Sequence, residues 1–329
     1  MTLKKYHVNT RQLTSVLPLS DEFTYAPDTN YLFDLDYLGV IDVMGEKSTE
    51  FLQGQLSCDL REVTSLQIQQ GALCNLKGRV MALLDVIKWL DIHLVLPIDL
   101  LDATQASLAK TAMFSKVKLE RSPSFQLMGF FLQNTHDLIP FDMTLPSEPL
   151  KVTVNEQQVL CYHLGNHFYL FLVTPEQASS LKDQFNQHQQ RRGSLAWHAL
   201  QMQENRIEIY PESRGLFLPH RLGLQLSGYL SFNKGCYKGQ EIIARTHYRA
   251  KLKHEMKLFT IQTSHSPASG DKLVTEDGHV EIGELIDYCP IGDEKFLVAT
   301  SIVFDHPDIV QINHQPAAIE LCSVIPRPT

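Results

Sequence analysis

Along residues 46–60, EKSTEFLQGQLSCDL, apolar residues recur at Phe51, Leu52, Leu56 and Leu60, the spacing of one helical face, with Ser48 placed to cap it. Gly54 falls inside that predicted helix, where glycine costs about 1 kcal/mol relative to alanine. Gln53-Gly54-Gln55 therefore marks either a close approach by another backbone or a ligand, or a glycine kept for helix packing. From 66 to 97 the pattern changes to alternating and continuous apolar runs broken at Lys77-Gly78-Arg79, which predicts a β-hairpin followed by further strand. Helix is expected near 103–117, and strands near 126–132, 158–164 and 167–174. Residues 176–209 read as one or two helices, with Pro175 opening the first and Gly193-Ser194 separating the second. Beyond 250 helical signals stop, and short strands alternate with Gly, Asp and Pro turns at the spacing of a small barrel or sandwich. The chain thus divides into 1–249, of mixed α+β character, and an all-β 250–329.

Composition narrows the class. The 329 residues are 43% hydrophobic and 20% charged, enough to bury a large core, and the length predicts two or three domains. A net charge of −8 argues against nonspecific nucleic-acid binding by the whole surface and leaves room for a local basic patch. The N-terminus lacks the apolar run of a secretory signal, and the most apolar stretch is interrupted by Asp85, Lys88, Asp91 and His93. A cytoplasmic protein without membrane contact is the expectation. Its six cysteines include no CxxC pair, which fits free thiols in a reducing compartment and no metal held by this chain alone.

One segment concentrates chemistry: NKGCYKGQEIIARTHYRAKLKH, residues 233–254. Cys236 lies between two glycines just ahead of a helix predicted to begin near Gly239, where free backbone N–H groups and the helix dipole favour negative charge. Lys234 and Lys238 add cations, so the pattern favours thiolate over thiol, against the plain alternative of a buried cysteine. Glu241 and Arg245 stand four apart in the favourable order, and Glu241 is also a candidate anchor for an amino-pyrimidine edge. Between 234 and 257, seven Lys and Arg oppose Glu241 and Glu255, a local charge of +5. That patch suits a polyanion, either a polyglutamate tail or an RNA backbone, or is simply a solvated face.

KGCYKGQE followed by IIARTHYRAKLK resembles the signature of the YgfZ family of folate-binding proteins, relatives of the glycine-cleavage T protein. FLQGQLSCDL, KGRV and AWHALQMQENRIEIY follow that family's order, so the likeness covers about residues 36–255, and the C-terminal strands more loosely. The resemblance implies a three-lobed, GcvT-like ring in which two interleaved α+β lobes and a C-terminal β-barrel surround a folate cavity. It puts the family's reactive cysteine at Cys236, its lysine at Lys234 and its folate-contacting tryptophan at Trp197, whose indole would stack on a flat ring. It implies tetrahydrofolate or a derivative as cofactor, contacted also by Leu38, Gln53, Gln55 and Arg79. Tyr237, Gln240, Glu241 and Arg245 complete that expected set.

The function so implied is a cytoplasmic folate-binding accessory protein that supports iron–sulfur enzymes, including those that modify tRNA. The alternatives are a T-protein-like aminomethyltransferase and an RNA-binding protein acting directly on tRNA; direct RNA contact is expected to be weak. The chain departs from its relatives at Leu38, where some carry a second tryptophan, at Asn205, where they carry glycine, and at His220, where they carry glutamine. T proteins place an acidic pair after a Gly-Gly turn, whereas the comparable positions here are Val80-Met81-Ala82-Leu83. Asp85 is the nearest acid, and strand alternation alone gives it no assured path to the cavity.

Overall fold

The computed structural model describes residues 3–312 and 318–322. Its helices are α1 (Leu19–Glu22), α2 (Ser48–Gln53), α3 (Ile98–Phe114), α4 (Pro175–Gln187), α5 (Ser194–Gln203) and α6 (Gln240–Arg249). None of the described helices is long and apolar enough to cross a membrane.

Three sheets organise these elements. The first has the order Val152–Val154, Leu160–Gly165, Phe168–Val173, Gln126–Phe131, Tyr31–Asp34, Arg191–Arg192, antiparallel except for the last pair. It is buried on both faces by period-two alternation. Met128 and Phe130 pack with Leu181 and Phe185 of α4, while Leu127 and Phe131 belong to the main core with Trp197 of α5. The second sheet is antiparallel throughout, in the order Gln69–Cys74, Val80–Trp89, Asp91–Pro97, Leu38–Met44, Lys118–Arg121. α3 lies against it, with Leu101 and Ile98 over Gly39.

Between Asp34 and Leu38 the chain leaves the first sheet for the second, and after Arg121 it returns to the first at Gln126. The two α+β lobes are therefore interleaved in sequence, as the resemblance implied. The third sheet draws on His254–Gln262, Lys295–Val303, Glu281–Gly292, Lys272–Thr275, Ile309–Ile312 and Ala318–Glu320, and curls into an antiparallel half-barrel.

An N-terminal hairpin, Lys4–Val8 and Arg11–Ser15, ties the lobes together. Arg11 is buried and donates to Asp99 (2.8 and 2.9 Å), to Glu208 (3.1 Å) and to the Ile209 carbonyl (2.7 Å). The half-barrel is joined through Asp287, which is fully buried. Its oxygens accept from the Tyr210 hydroxyl (2.6 Å) and the Glu208 amide (2.7 Å), and one lies 3.2 Å from His198 Nε2.

The helix expected over 46–60 is much shorter. α2 ends at Gln53 with Gly54 as its C-cap, Leu56 bridges Leu73, and Leu60–Glu62 is a separate 3-10 turn. Ser48 does not cap the helix: Lys47 occupies that position, and the Ser48 hydroxyl donates to the Gly45 carbonyl at 2.7 Å. Phe51, Leu52, Leu56 and Leu60 are all buried, so the apolar pattern reported burial correctly and secondary structure only in part.

Candidate functional site

The Cys236 loop is fastened at both ends. Lys234 turns inward, and its Nζ donates to the carbonyls of Gln53 (2.8 Å), Leu56 (2.7 Å) and Cys58 (2.6 Å). It also stands 5.0 Å from the centre of the Tyr237 ring, within reach of a cation–π contact. Burial pulls its pKa down to about 8, opposed by the neighbouring Cys58 and Asp59. A second tie runs from the Lys238 amide to the Gly54 carbonyl, at 3.1 Å. These bonds take up the carbonyls that a longer α2 would have used, which is the physical reason the helix stops.

At the far end Gly239 adopts φ +84° and opens α6 against the hairpin turn at Asn75–Arg79. Gly78, at φ +68°, lies beneath Ile242 and the Gly239 carbonyl. The loop is thus braced by a short turn on one side and a hairpin on the other, and it leaves Cys236 exposed.

The lysines are placed differently from the expected electrostatic support for Cys236. The Lys234 ammonium lies beside Cys58, and Lys238 acts on Cys74; burial nonetheless pushes each of those thiols up to about 12. Cys161 and Cys289 are raised further by the same cause. Among the described cysteines only Cys236 and Cys322 are exposed.

The residues expected around a folate divide into two groups. Trp197 and Leu38, from different lobes, line one inner chamber of about 80 Å³. Trp197 is only 2% exposed; its six-membered ring packs on Gly129, with Phe33 and Phe168 tilted and edge-on around it. Most of the indole is therefore core.

The other group lies outside that lining. Gln53 braces its own turn, donating to Asp59 (3.0 Å) and accepting from the Leu60 amide (2.7 Å), while Gln55 is half-buried. Arg79 donates to the Leu216 carbonyl. Tyr237 is buried, and Gln240 is half-buried at the start of α6. Glu241 and Arg245 are exposed on α6, and no ion pair joins them in the described structure.

Sequence reasoning missed the acids of the chamber. Asp85 lines it, two residues beyond Leu83 on the same strand, and faces Gln70 across the sheet. Its Oδ1 accepts from Gln70 Nε2 (2.8 Å) and its Oδ2 from the Tyr162 hydroxyl (2.7 Å). Burial raises its pKa, outweighing both hydrogen bonds and the nearby Arg206. Glu208 also lines the chamber, accepting from the Tyr37 hydroxyl at 3.1 Å and from Arg11; burial raises its pKa against the Arg11 charge. The i, i+2 relation of Leu83 and Asp85 was the one available signal, and it required knowing which face of the strand looks inward.

The chamber adjoins an outer cleft of about 750 Å³, with Gln70, Leu164, Arg206 and Tyr229 common to both walls. Asn205, at φ +57°, takes the left-handed conformation suggested by the glycine of its relatives and lines this cleft with His220. Among the described residues no group of three His, Cys, Asp or Glu could hold a metal ion.

Known proteins supply the context for this geometry. No protein-family model matches the chain. It is 25% identical over 282 residues to the tRNA-modifying protein YgfZ of Colwellia psychrerythraea, covering 85% of this chain and 87% of that one. With the tRNA-modifying protein YgfZ of Klebsiella pneumoniae the identity is 28% over 278 residues, covering 81% and 83%. With that of Escherichia coli O157:H7 it is 30% over 257 residues, covering 75% and 77%. In three dimensions the chain is similar to the glycine cleavage system aminomethyltransferase T from Bartonella henselae, with TM-score 0.73 and 14% identity over 98% of this chain and 93% of that one, a likeness of fold. With the KGCYKGQE loop braced as described and a relative at 30% identity over three quarters of the chain, this protein belongs to the YgfZ family.

Proposed function

We propose that the chain binds tetrahydrofolate or a derivative in the inner chamber. We take it to be a cytoplasmic accessory protein in tRNA modification that supports iron–sulfur enzymes, with Cys236 as the working thiol. The convergence of Trp197 and Leu38 from two interleaved lobes on one chamber carries this reading. The donor set suits a pterin: flat apolar walls from Trp197, Leu38 and Leu83, and acceptor oxygens on Asp85 and Glu208 for the N–H groups of an amino-pyrimidine edge. The names of the relatives support the tRNA side, and the fold of an aminomethyltransferase supports the folate side. The division at 1–249 and 250–329 fits this scheme, with the half-barrel forming one side of the outer cleft. The direct test is calorimetric titration with reduced folates, paired with a thermal-shift series. Binding with a rise in unfolding temperature is the expected result; a flat titration at millimolar ligand counts against the folate assignment.

Asp85 raises the second reading, a folate-dependent aminomethyltransferase, because it puts a carboxyl in the chamber. Both of its oxygens already accept hydrogen bonds, from Gln70 and from the Tyr162 hydroxyl, and that engagement leaves it poorly placed to take a proton from a substrate. Little or no turnover is expected in an assay with reduced folate and an aminomethylated carrier protein. Robust turnover that is lost in Asp85→Asn would replace the accessory reading with the transferase.

A further inference from the structure

We infer that the outward face of α6 is a binding site for single-stranded nucleic acid, on which Tyr248 stacks against an unpaired base while Arg245 and Arg249 contact the neighbouring phosphates. The inference stands apart from the folate reading, since none of these three side chains lines the inner chamber or the outer cleft.

The packing of α6 fixes which residues look outward. Ile243 is buried, and Ile242 lies over Gly78 of the hairpin turn. The side opposite Ile243 carries Glu241, Arg245, Tyr248 and Arg249, whose spacing makes them neighbours on one helical face. All four are exposed, Tyr248 by 68%. Neither arginine joins an ion pair among the described residues, so Glu241 leaves both guanidiniums available. The chain carries −8 as a whole, whereas its segment 234–257 has seven Lys and Arg against two Glu. A polyanion is therefore attracted to this face and not to the surface at large.

The phenol ring is held from one side. His247 stacks on the half-buried Phe232, with centroids 3.9 Å apart and planes 17° off parallel. Tyr248 stands edge-on to both, 4.8 Å from His247 and 6.0 Å from Phe232. A ring already ordered by its neighbours loses little freedom when a ligand stacks on it. Every base offers a π face, and guanidinium planes stack on bases as well as meeting phosphate, so a tyrosine flanked by two arginines suits unpaired nucleotides of any sequence. A duplex keeps its base faces covered by one another, and the ring gains nothing from it. An acidic peptide would satisfy the arginines and leave the ring without a partner.

The test is fluorescence anisotropy with a labelled, mixed-sequence strand of about 12 nucleotides, as RNA and as DNA, each also annealed to its complement. In low salt the better single strand should bind with Kd on the order of 10 µM, and about fivefold more tightly than its duplex. Tyr248→Ala should weaken single-strand binding about tenfold, the effect of one lost stack, with the slope of log K against log salt unchanged, and Tyr248→Phe should retain it. Arg245→Gln/Arg249→Gln should reduce that slope by about 1.4, as two lost phosphate contacts require. The three side chains are exposed, so these variants should unfold at the wild-type temperature. Binding of either strand with this dependence on Tyr248 supports the site, and the tighter of the two names its ligand class. Absence of binding at about 0.1 mM protein in low salt overturns the inference. So does single-strand affinity that Tyr248→Ala leaves unchanged, or equal affinity for the duplex, since either reduces the face to bulk attraction for polyanions. A polyaspartate peptide that competes as well as the strand, charge for charge, assigns the arginines to acidic protein and also overturns it.

Discussion

The Cβ that Gly239 lacks would lie 2.4 Å from the carbonyl oxygen of Asn75. The loop carrying Cys236 and the hairpin turn carrying Arg79 therefore meet backbone to backbone, and any side chain at 239 must push them apart. Gly239 also holds φ +84°, which L-residues rarely adopt. Gly239→Ala is expected to cost about 2 kcal/mol or more. Gly235, with open space around it and no positive φ, should accept alanine within about 0.5 kcal/mol. Urea midpoints of the two variants decide the matter; equal effects would mean that the turn and the loop are not in contact in solution.

The thiols should separate by exposure. In the native protein Cys236 and Cys322 should alkylate readily, while Cys58, Cys74, Cys161 and Cys289 should label only on unfolding. A Cys236 that reacts faster than Cys322 near neutral pH would show that its loop activates the sulfur, and equal rates would reduce the effect to access. Cys236→Ala should keep its stability to within about 0.5 kcal/mol and fail to complement a strain lacking the homologue. Loss of folding would make the cysteine structural.

Removing the chamber's indole should weaken folate binding. Trp197→Ala also leaves a void against Gly129, Phe33 and Phe168, at a cost of about 3–5 kcal/mol. Trp197→Phe is the cleaner variant: it should stay folded and bind about 3- to 10-fold more weakly. Wild-type affinity on the order of micromolar to tens of micromolar is expected, since Leu38 offers less stacking than a tryptophan. Unchanged affinity in Trp197→Phe would remove the indole from the binding wall.

The junction with the half-barrel should be sensitive to pH. Burial pulls the His198 pKa down, but the Asp287 carboxylate 3.2 Å away outweighs it and the net shift is upward from 6.5. A histidine with a raised folded-state pKa contributes stability that is complete below pH 6.5 and is lost as pH rises through the folded value. Urea midpoints should therefore fall between pH 6 and 9 more steeply in the wild type than in His198→Gln. Asp287→Asn should cost about 3 kcal/mol by leaving buried donors and a buried imidazolium uncompensated. Parallel pH profiles in the wild type and His198→Gln would show that the imidazole is neutral in the fold.

By itself the sequence determined whatever rests on near neighbours. The Lys77-Gly78-Arg79 turn, the opening of a helix at Pro175 and the break at Gly193-Ser194 were all legible, while the capping box of Thr174 and Gln177 at the start of α4 emerged only in the structure. The strands beyond 250 were legible as well, because turn chemistry and side-chain period act over a few residues. The KGCYKGQE string pointed to the family because its order is rare, whatever its geometry. Tertiary structure alone decided that Tyr31–Asp34 and Leu38–Met44 enter different sheets. It also decided that Lys234 holds the carbonyls of Gln53, Leu56 and Cys58, so that the 46–60 helix ends early. Asp85 reached the chamber in the same way, since strand alternation names two faces and only the packing of the lobes determines which one looks inward. Contacts between residues far apart in sequence, such as Lys234 with the Gln53 carbonyl, Glu208 with Tyr37 and Asp85 with Tyr162, satisfy buried carbonyls and carboxylates that no local pattern records.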